Sequence, residues 1–332
     1  MQQDPTQILE LRIHSSSVHL YDESTNEYDS ICLLKAPLHE FLRYSREEMS
    51  KWLIDLAHDI CDPANLRGSL LVWKELSQDW DPVAHTDPLT ASVYRYQLPP
   101  RPDIFVDLSK ISSREGRSVA SSGPAQSVTQ RDGKCWVTGC LDPRATQICP
   151  RRVGDIIGAQ ILRTFANLEP PPGLSICDGI FRVSLSGALD FWFRDYTVGF
   201  RHVSADVYEC HLFARDFDSL YTVVGKFATP PPPPPFILPP ALHGARAAPP
   251  RPQSPNLPAR GLFRWHYLQC VINQFAHDDY KSLSNIRIPG LSLWMEGDSD
   301  DDDETDSEFE ELSNALDLAR DVHALQEGEG RR

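Results

Sequence analysis

The sequence predicts an α+β protein: a folded body, a proline-rich loop, a docking helix and a disordered acidic tail. Three observations carry this. Stretches with strand-like alternation and stretches with helical spacing follow one another through most of the chain. Twenty-eight prolines and an apolar fraction of 41% in 332 residues are the composition of a folded part joined to extended segments. The net charge of −15 is concentrated at one end: residues 296–332 hold fifteen acidic and three basic side chains, −12, which leaves −3 for everything before them.

Residues 1–109 read as an N-terminal α+β region. Ile8, Leu9, Leu11 and Ile13 open a strand, and Val18 to Tyr21 are placed as its hairpin partner. Ser45 followed by Glu48 has the spacing of a capping box, so a helix is expected to start there. Met49, Trp52, Leu53, Leu56, Ala57 and Ile60 fall on one face of that helix, and His58 is expected at its surface or boundary. Gly68 to Trp73 reads as a buried strand. Residues 110–130 are serine-rich and polar, a linker.

Residues 131–228 follow as a second unit: a cysteine-containing turn, a short strand ending at Ile148, Cys149 and Pro150, a connection, then a helix feeding a strand. Residues 229–258 contain the unbroken run Pro230 to Pro235 and read as a disordered, polyproline-like spacer, a type of segment that also binds aromatic-lined domains. Leu262, Phe263, Trp265, Leu268, Val271, Ile272 and Phe275 crowd residues 259–280 into a helix too apolar to stand alone, expected to pack on the core. In the tail at 296–332, Ser299 and Ser307 precede acids. Phe309, Leu312, Leu316, Ala319 and Val322 have helical spacing, read either as a partner-seeking helix or as a marginal solvated one.

Several classes are disfavoured. Met1 to Pro5 is polar, unlike a secretory signal, and no apolar run is long enough to span a bilayer, so an intracellular protein of cytoplasm or nucleus is expected, without membrane attachment. Eight cysteines in that setting are thiols rather than a disulfide framework. Cys135, Cys140, Cys149 and Cys177 lack the paired close spacing of a zinc knuckle, so buried thiols are expected over structural zinc. Residues 131–228 balance eleven acids against eleven bases, without the basic excess usual in nucleic-acid binders. Arg144, Arg151 and Arg152 form the local basic cluster and are the candidate contacts to DNA or RNA. The acidic tail is the candidate contact to protein partners.

Within 131–213, the turn of Arg131, Asp132, Cys135, Thr138 and Gly139 resembles the opening of the HNH endonuclease domain found in many fungal proteins. In that family an Ala-x-His-Ile-x-Pro strand end follows. The matching segment is Ala145 to Pro150, with Gln147 at the histidine position. An Asn-Gly-Ile segment is matched by Asp178, Gly179 and Ile180, and a Leu-His helix start by Leu189 and Asp190. Val198 to Phe200, Tyr208 to Phe213 and His266 to Val271 resemble later segments of such proteins. The resemblance implies a ββα fold around one divalent cation, Mg²⁺ or another. In it the strand histidine acts as general base and the helix histidine as a metal ligand. Cys135, Thr138 and Gly139 shape the turn.

An imidazole suits the base because it titrates near neutral pH, and an amide cannot take the proton. Loss of a general base costs about 10²–10⁴-fold in rate. Asp190 is a weaker loss, because carboxylate oxygens bind Mg²⁺, and Asp178 could bind or position the cation. His202 and His211 are read as strand-region histidines and His266 as a packing residue with a hydrogen-bonded ring. Two classes remain open: an HNH nuclease-like protein, degenerate or inactive as a metal-dependent hydrolase, or a non-enzymatic interaction protein working through the proline-rich spacer and the acidic tail.

Overall fold

Alternation along Ile8 to His14 sets the first layer. Leu9, Leu11 and Ile13 are fully buried while Glu10 and Arg12 lie on the opposite face, where Glu10 pairs with Lys35 at 2.7 Å. The computed structural model describes residues 7–14, 31–46, 49–97, 122–213 except 142, and 242–277 except 255. The expected Val18 to Tyr21 strand, the Pro230 to Pro235 run and the acidic tail with Ser299 and Ser307 lie outside the described residues.

The protein is a mixed α+β fold. Strands β1 (Ile8–His14), β2 (Ile31–Pro37), β3 (Ser69–Lys74), β4 (Asp79–Pro82) and β5 (Val93–Gln97) form one sheet in the order β2-β1-β5-β3-β4. The β1/β5 pair is parallel and the others antiparallel. Helices α1 (Leu38–Ser45) and α2 (Ser50–Cys61) join its core. Trp52, Leu53, Leu56, Ala57 and Ile60 are buried as the helical spacing predicts, whereas Met49 precedes the helix and is exposed. The antiparallel neighbour of β1 is β2. Ser45 does not cap a helix: it is the buried last residue of α1. Leu38 to Ser45 already carries helical burial, at Phe41 and Tyr44, which an apolar count starting at Met49 overlooks. His58 is half-buried, its Nδ1 2.6 Å from the Tyr96 hydroxyl, which also accepts from the Gly68 amide at 3.0 Å. A Cβ at Gly68 would strike the Tyr96 ring, which is why a glycine stands just ahead of β3.

The second part of the chain contributes α3 (Ser122–Asp132), β6 (Arg144–Gln147), α4 (Gly154–Ala166), β7 (Arg182–Leu185), α5 (Gly187–Arg194), β8 (Val198–Ser204), β9 (Val207–Leu212), β10 (Arg246–Ala247) and α6 (Arg260–Phe275). β6 pairs with β7, and β10-β9-β8 form a three-stranded antiparallel sheet. Twelve of the sixteen residues of α6 are buried, so this helix is the interior post of the molecule rather than an outer prop. It packs on β8, α4 and α2. Its Arg264 reaches Asp59 of α2, with a 3.1 Å bond from Nε, and the Phe165 carbonyl at 3.0 Å.

Three sequence boundaries fall elsewhere. The linker expected over 110–130 gives way to α3 from Ser122, because Val128 is buried and Thr129 bonds the Ala125 and Gln126 carbonyls along the helix. The spacer expected over 229–258 is folded from Leu242 onward. Leu242 and Ala247 are fully buried, and the amide of Cys210 on β9 donates to the Ala245 carbonyl at 2.8 Å. Composition hides this, since two small or apolar side chains suffice to seat a strap on a sheet edge. The N-terminal region is also not a separate body. Tyr44 donates to the Leu212 carbonyl at 3.0 Å, the His277 amide donates to Leu33 at 3.0 Å, and one continuous core runs through both parts. No helix among the described residues is long and apolar enough to cross a membrane.

Candidate functional site

β6, β7 and α5 form two antiparallel strands with a helix entered one residue after the second strand. The register runs from Arg144 opposite Leu185 to Gln147 opposite Arg182, and α5 packs on β6. β7 is buried along its whole length, so the hairpin is anchored in the interior and its partner strand carries the residues singled out by sequence.

The turn of Cys135, Thr138 and Gly139 closes on itself. The Cys135 amide donates to the Cys140 carbonyl at 2.9 Å and the Gly139 amide to the Cys135 carbonyl at 3.0 Å. The Cys140 amide donates to the Thr138 hydroxyl at 3.3 Å, and the Thr138 amide to Cys135 Sγ at 3.4 Å. Gly139 sits at φ +69°, where a side chain would be strained. The Trp136 amide then fixes the turn to β7 through the Ser184 carbonyl at 3.0 Å.

Gln147 ends β6 and is buried. Its carboxamide Nε2 donates to the Ile176 carbonyl at 2.5 Å, and its Oε1 is buried without a hydrogen-bond partner among the described residues. Asp178 lies in the same connection, two residues beyond Ile176. Its Oδ2 accepts the Ser175 amide at 3.0 Å, closing the turn before the 3-10 segment Gly179–Phe181. Asp178 also lines an open cavity of about 560 Å³ with Arg131, Arg251 and Asn256. The structure therefore brings Gln147 and Asp178 to one loop.

Asp190 stands apart from them. It lies on α5, nearly buried, 3.3 Å from Arg194 Nε and 3.9 Å from Arg144 Nη1. Arg144 and Gln147 are the two ends of β6, about 10 Å apart along a strand. They also point to opposite faces of it. Asp190 makes its ion pairs with Arg144 and Arg194, not with the loop that holds Gln147 and Asp178. Arg151 opens a 3-10 turn, Arg151–Val153, and Arg152 follows within it. Arg144 is largely exposed.

These residues do not fit a divalent cation. The carboxylate at Asp190 is flanked by two guanidinium groups. Among the described residues no group of three His, Cys, Asp or Glu side chains is disposed to hold a metal ion. Cys135 and Cys149 are buried, while Cys140 and Cys177 are half-buried. Burial pushes the Cys149 thiol well up, which disfavours the thiolate a metal would need.

The histidines lie elsewhere. His202 Nε2 is 2.8 Å from the Ala205 carbonyl in the β8–β9 turn. His211 is fully buried on β9. His266 stacks on Phe193 at 3.7 Å, and its Nε2 donates to the Phe193 carbonyl at 2.9 Å. That matches the packing role expected of it.

Sequence reading treated Arg131 and Asp132 as turn residues, but they form the organising ion pair of this region. Arg131 grips both Asp132 oxygens, at 2.7 and 2.8 Å. It also donates to the carbonyls of Gly179, Asn256 and Arg182 at 2.8 to 2.9 Å. Asp132 Oδ2 in turn accepts the Ser184 amide at 3.1 Å. One guanidinium thus joins α3, the Asp178 loop, β7 and the segment leading into α6. The signal available in sequence was a charged pair leading directly into a cysteine turn.

Comparison with family models, with curated proteins and with solved structures finds no match.

Proposed function

We propose that this is an HNH nuclease-like protein whose hydrolytic centre is degenerate, so that the strand-strand-helix unit serves as scaffold and binding surface instead of cleaving phosphodiesters. One observation carries the reading. At the position where the resemblance calls for a proton acceptor stands the Gln147 carboxamide, buried and tied to the Ile176 carbonyl. An amide there neither takes a proton at neutral pH nor swings toward a substrate without breaking that bond. The charge arrangement agrees. Asp190, at the helix-ligand position, is held between Arg144 and Arg194, and two guanidinium groups at that place favour an anionic phosphate over a cation.

The second reading, a non-enzymatic interaction protein, is favoured by the composition of the proline-rich segment and of residues 296–332, which fit aromatic-lined or basic partner surfaces. The two readings share the absence of hydrolysis.

The deciding experiment incubates purified full-length protein with supercoiled plasmid and Mg²⁺ or Mn²⁺. The expected result is no nicking above a buffer control. Nicking that disappears in Asp190→Ala would overturn the proposal and restore a working hydrolase.

A further inference from the structure

We propose that His243 is a proton-operated latch, fastening the strap that runs from Leu242 to Ala247 onto β9 and α1 while its Nδ1 is unprotonated. This is independent of the proposed function and rests on a different part of the molecule.

The Leu212 amide donates to His243 Nδ1 at 3.2 Å, so that nitrogen must carry a lone pair. The proton then belongs on Nε2, which faces the Arg43 carbonyl of α1 at 3.3 Å. One neutral imidazole therefore bridges β9 and the end of α1. The strap continues with the Gly244 amide on the Cys210 carbonyl at 2.7 Å and the Cys210 amide on the Ala245 carbonyl at 2.8 Å. Protonating Nδ1 removes the acceptor of the Leu212 amide and sets two donors against each other in a partly buried place.

The surroundings sharpen the response. His243 stacks at 5.2 Å on His211, with Tyr44 edge-on at 5.5 Å. From α1 and its end come the cations Arg43 and Arg46. From β9 come His211 and Glu209, and from β8 Arg201, which lies 3.9 Å from Asp55. From α6, Tyr267 reaches His211. The one carboxylate among the β9 groups, Glu209, is already engaged by Arg46 at 3.0 Å and by His211 Nε2 at 3.0 Å. A proton on His243 thus meets cations and a second imidazole rather than a free carboxylate. Burial, then His211, hold the ring's pKa down to about 4 in the fastened state. Once released, the ring regains the ordinary value near 6.5, so acidification through that interval favours release by on the order of 100-fold.

The test is hydrogen exchange with mass spectrometry on the full-length protein between pH 7 and 4.5, corrected for intrinsic exchange rates. Peptides covering 207–213 and 242–248 should lose protection by about tenfold or more beyond whatever loss peptides covering β3 and β5 share. His243→Asn keeps an acceptor for the Leu212 amide without titrating, and its strap protection should be flat across the same interval. His243→Ala should be unprotected at both ends of it. Equal loss in every peptide, no pH response, or a response that survives in His243→Asn would each overturn the latch, the last assigning the effect to His211.

Discussion

The indole Nε1 of Trp52 donates to the hydroxyl of Tyr267 at 2.9 Å, joining a helix near the start of the chain to the last helix described. His211 Nδ1 lies 2.6 Å from the same oxygen and, in the neutral ring whose Nε2 carries the proton, accepts from the tyrosine hydroxyl. The imidazole then donates from Nε2 to Glu209 at 3.0 Å. The relay fixes the tautomer of His211, and burial raises the Tyr267 hydroxyl above its ordinary range. Tyr267→Phe leaves both the indole N–H and the imidazole nitrogen buried and unpaired, at about 1–3 kcal/mol each. Urea denaturation should show a loss of roughly 2–4 kcal/mol. A loss well below about 1 kcal/mol would mean the relay is not formed.

Gly261 lies where α6 crosses α4, and a Cβ there would run into the backbone of Phe165 and Ala166. Backbone cannot swing aside as a side chain does. Gly261→Ala should therefore cost at least about 2–3 kcal/mol, although alanine is the better helix former by about 1 kcal/mol. A melting temperature equal to or above that of the parent would show that the two helices sit further apart.

His266 is fully enclosed, and burial drives its pKa down to about 3, partly offset by its bond to the Phe193 carbonyl. The folded value lies below the unfolded value near 6.5, so the unfolded chain binds the extra proton. Stability from this site is complete above about pH 6.5 and is lost as pH falls toward the folded value. At pH 4.5 the loss should be roughly 2–3 kcal/mol relative to pH 7. Denaturation curves at the two pH values, repeated with His266→Gln, should show a smaller pH-dependent loss in the variant. An unchanged difference would assign the acid sensitivity to other groups.

Gln147→His alone should leave plasmid cleavage at background. The new ring would stand beside the Ile176 carbonyl, while Asp190 stays paired with Arg144 and Arg194 and Asp178 remains committed to the Ser175 amide. Robust nicking by that single variant would show that fewer changes separate the protein from activity than its geometry implies.

The sequence made the class and several faces legible where periodicity is strong: the alternation in Leu9 to Ile13, the helical stripe from Trp52 to Ile60 and the apolar crowding around Trp265. It misled where burial rests on few side chains. The strap is held by backbone bonds, two buried residues and His243, and neither bonds nor register leave a mark in composition. The pairing of β1 with β2 across residues 15–30, and with β5 in parallel, is set by long-range contacts that local pattern does not encode. At the candidate site the residue types were readable, but their separation was not. That Gln147 and Asp178 share a loop while Asp190 lies against Arg144 follows from strand direction and helix entry. The paired role of Arg131 and Asp132 depends on three carbonyls from two distant segments converging on one guanidinium.

The bridge between Leu34 and Ala276, with the His277 amide on the Leu33 carbonyl, has a consequence for synthesis on the ribosome. The edge of the first sheet is finished by almost the last residue described, and α2 gains its buried partner Tyr267 only after some two hundred further residues have been made. A nascent chain carrying the N-terminal strands alone must therefore wait with apolar surface uncovered. Chaperone occupancy during translation should persist until the segment around residue 277 has cleared the exit tunnel.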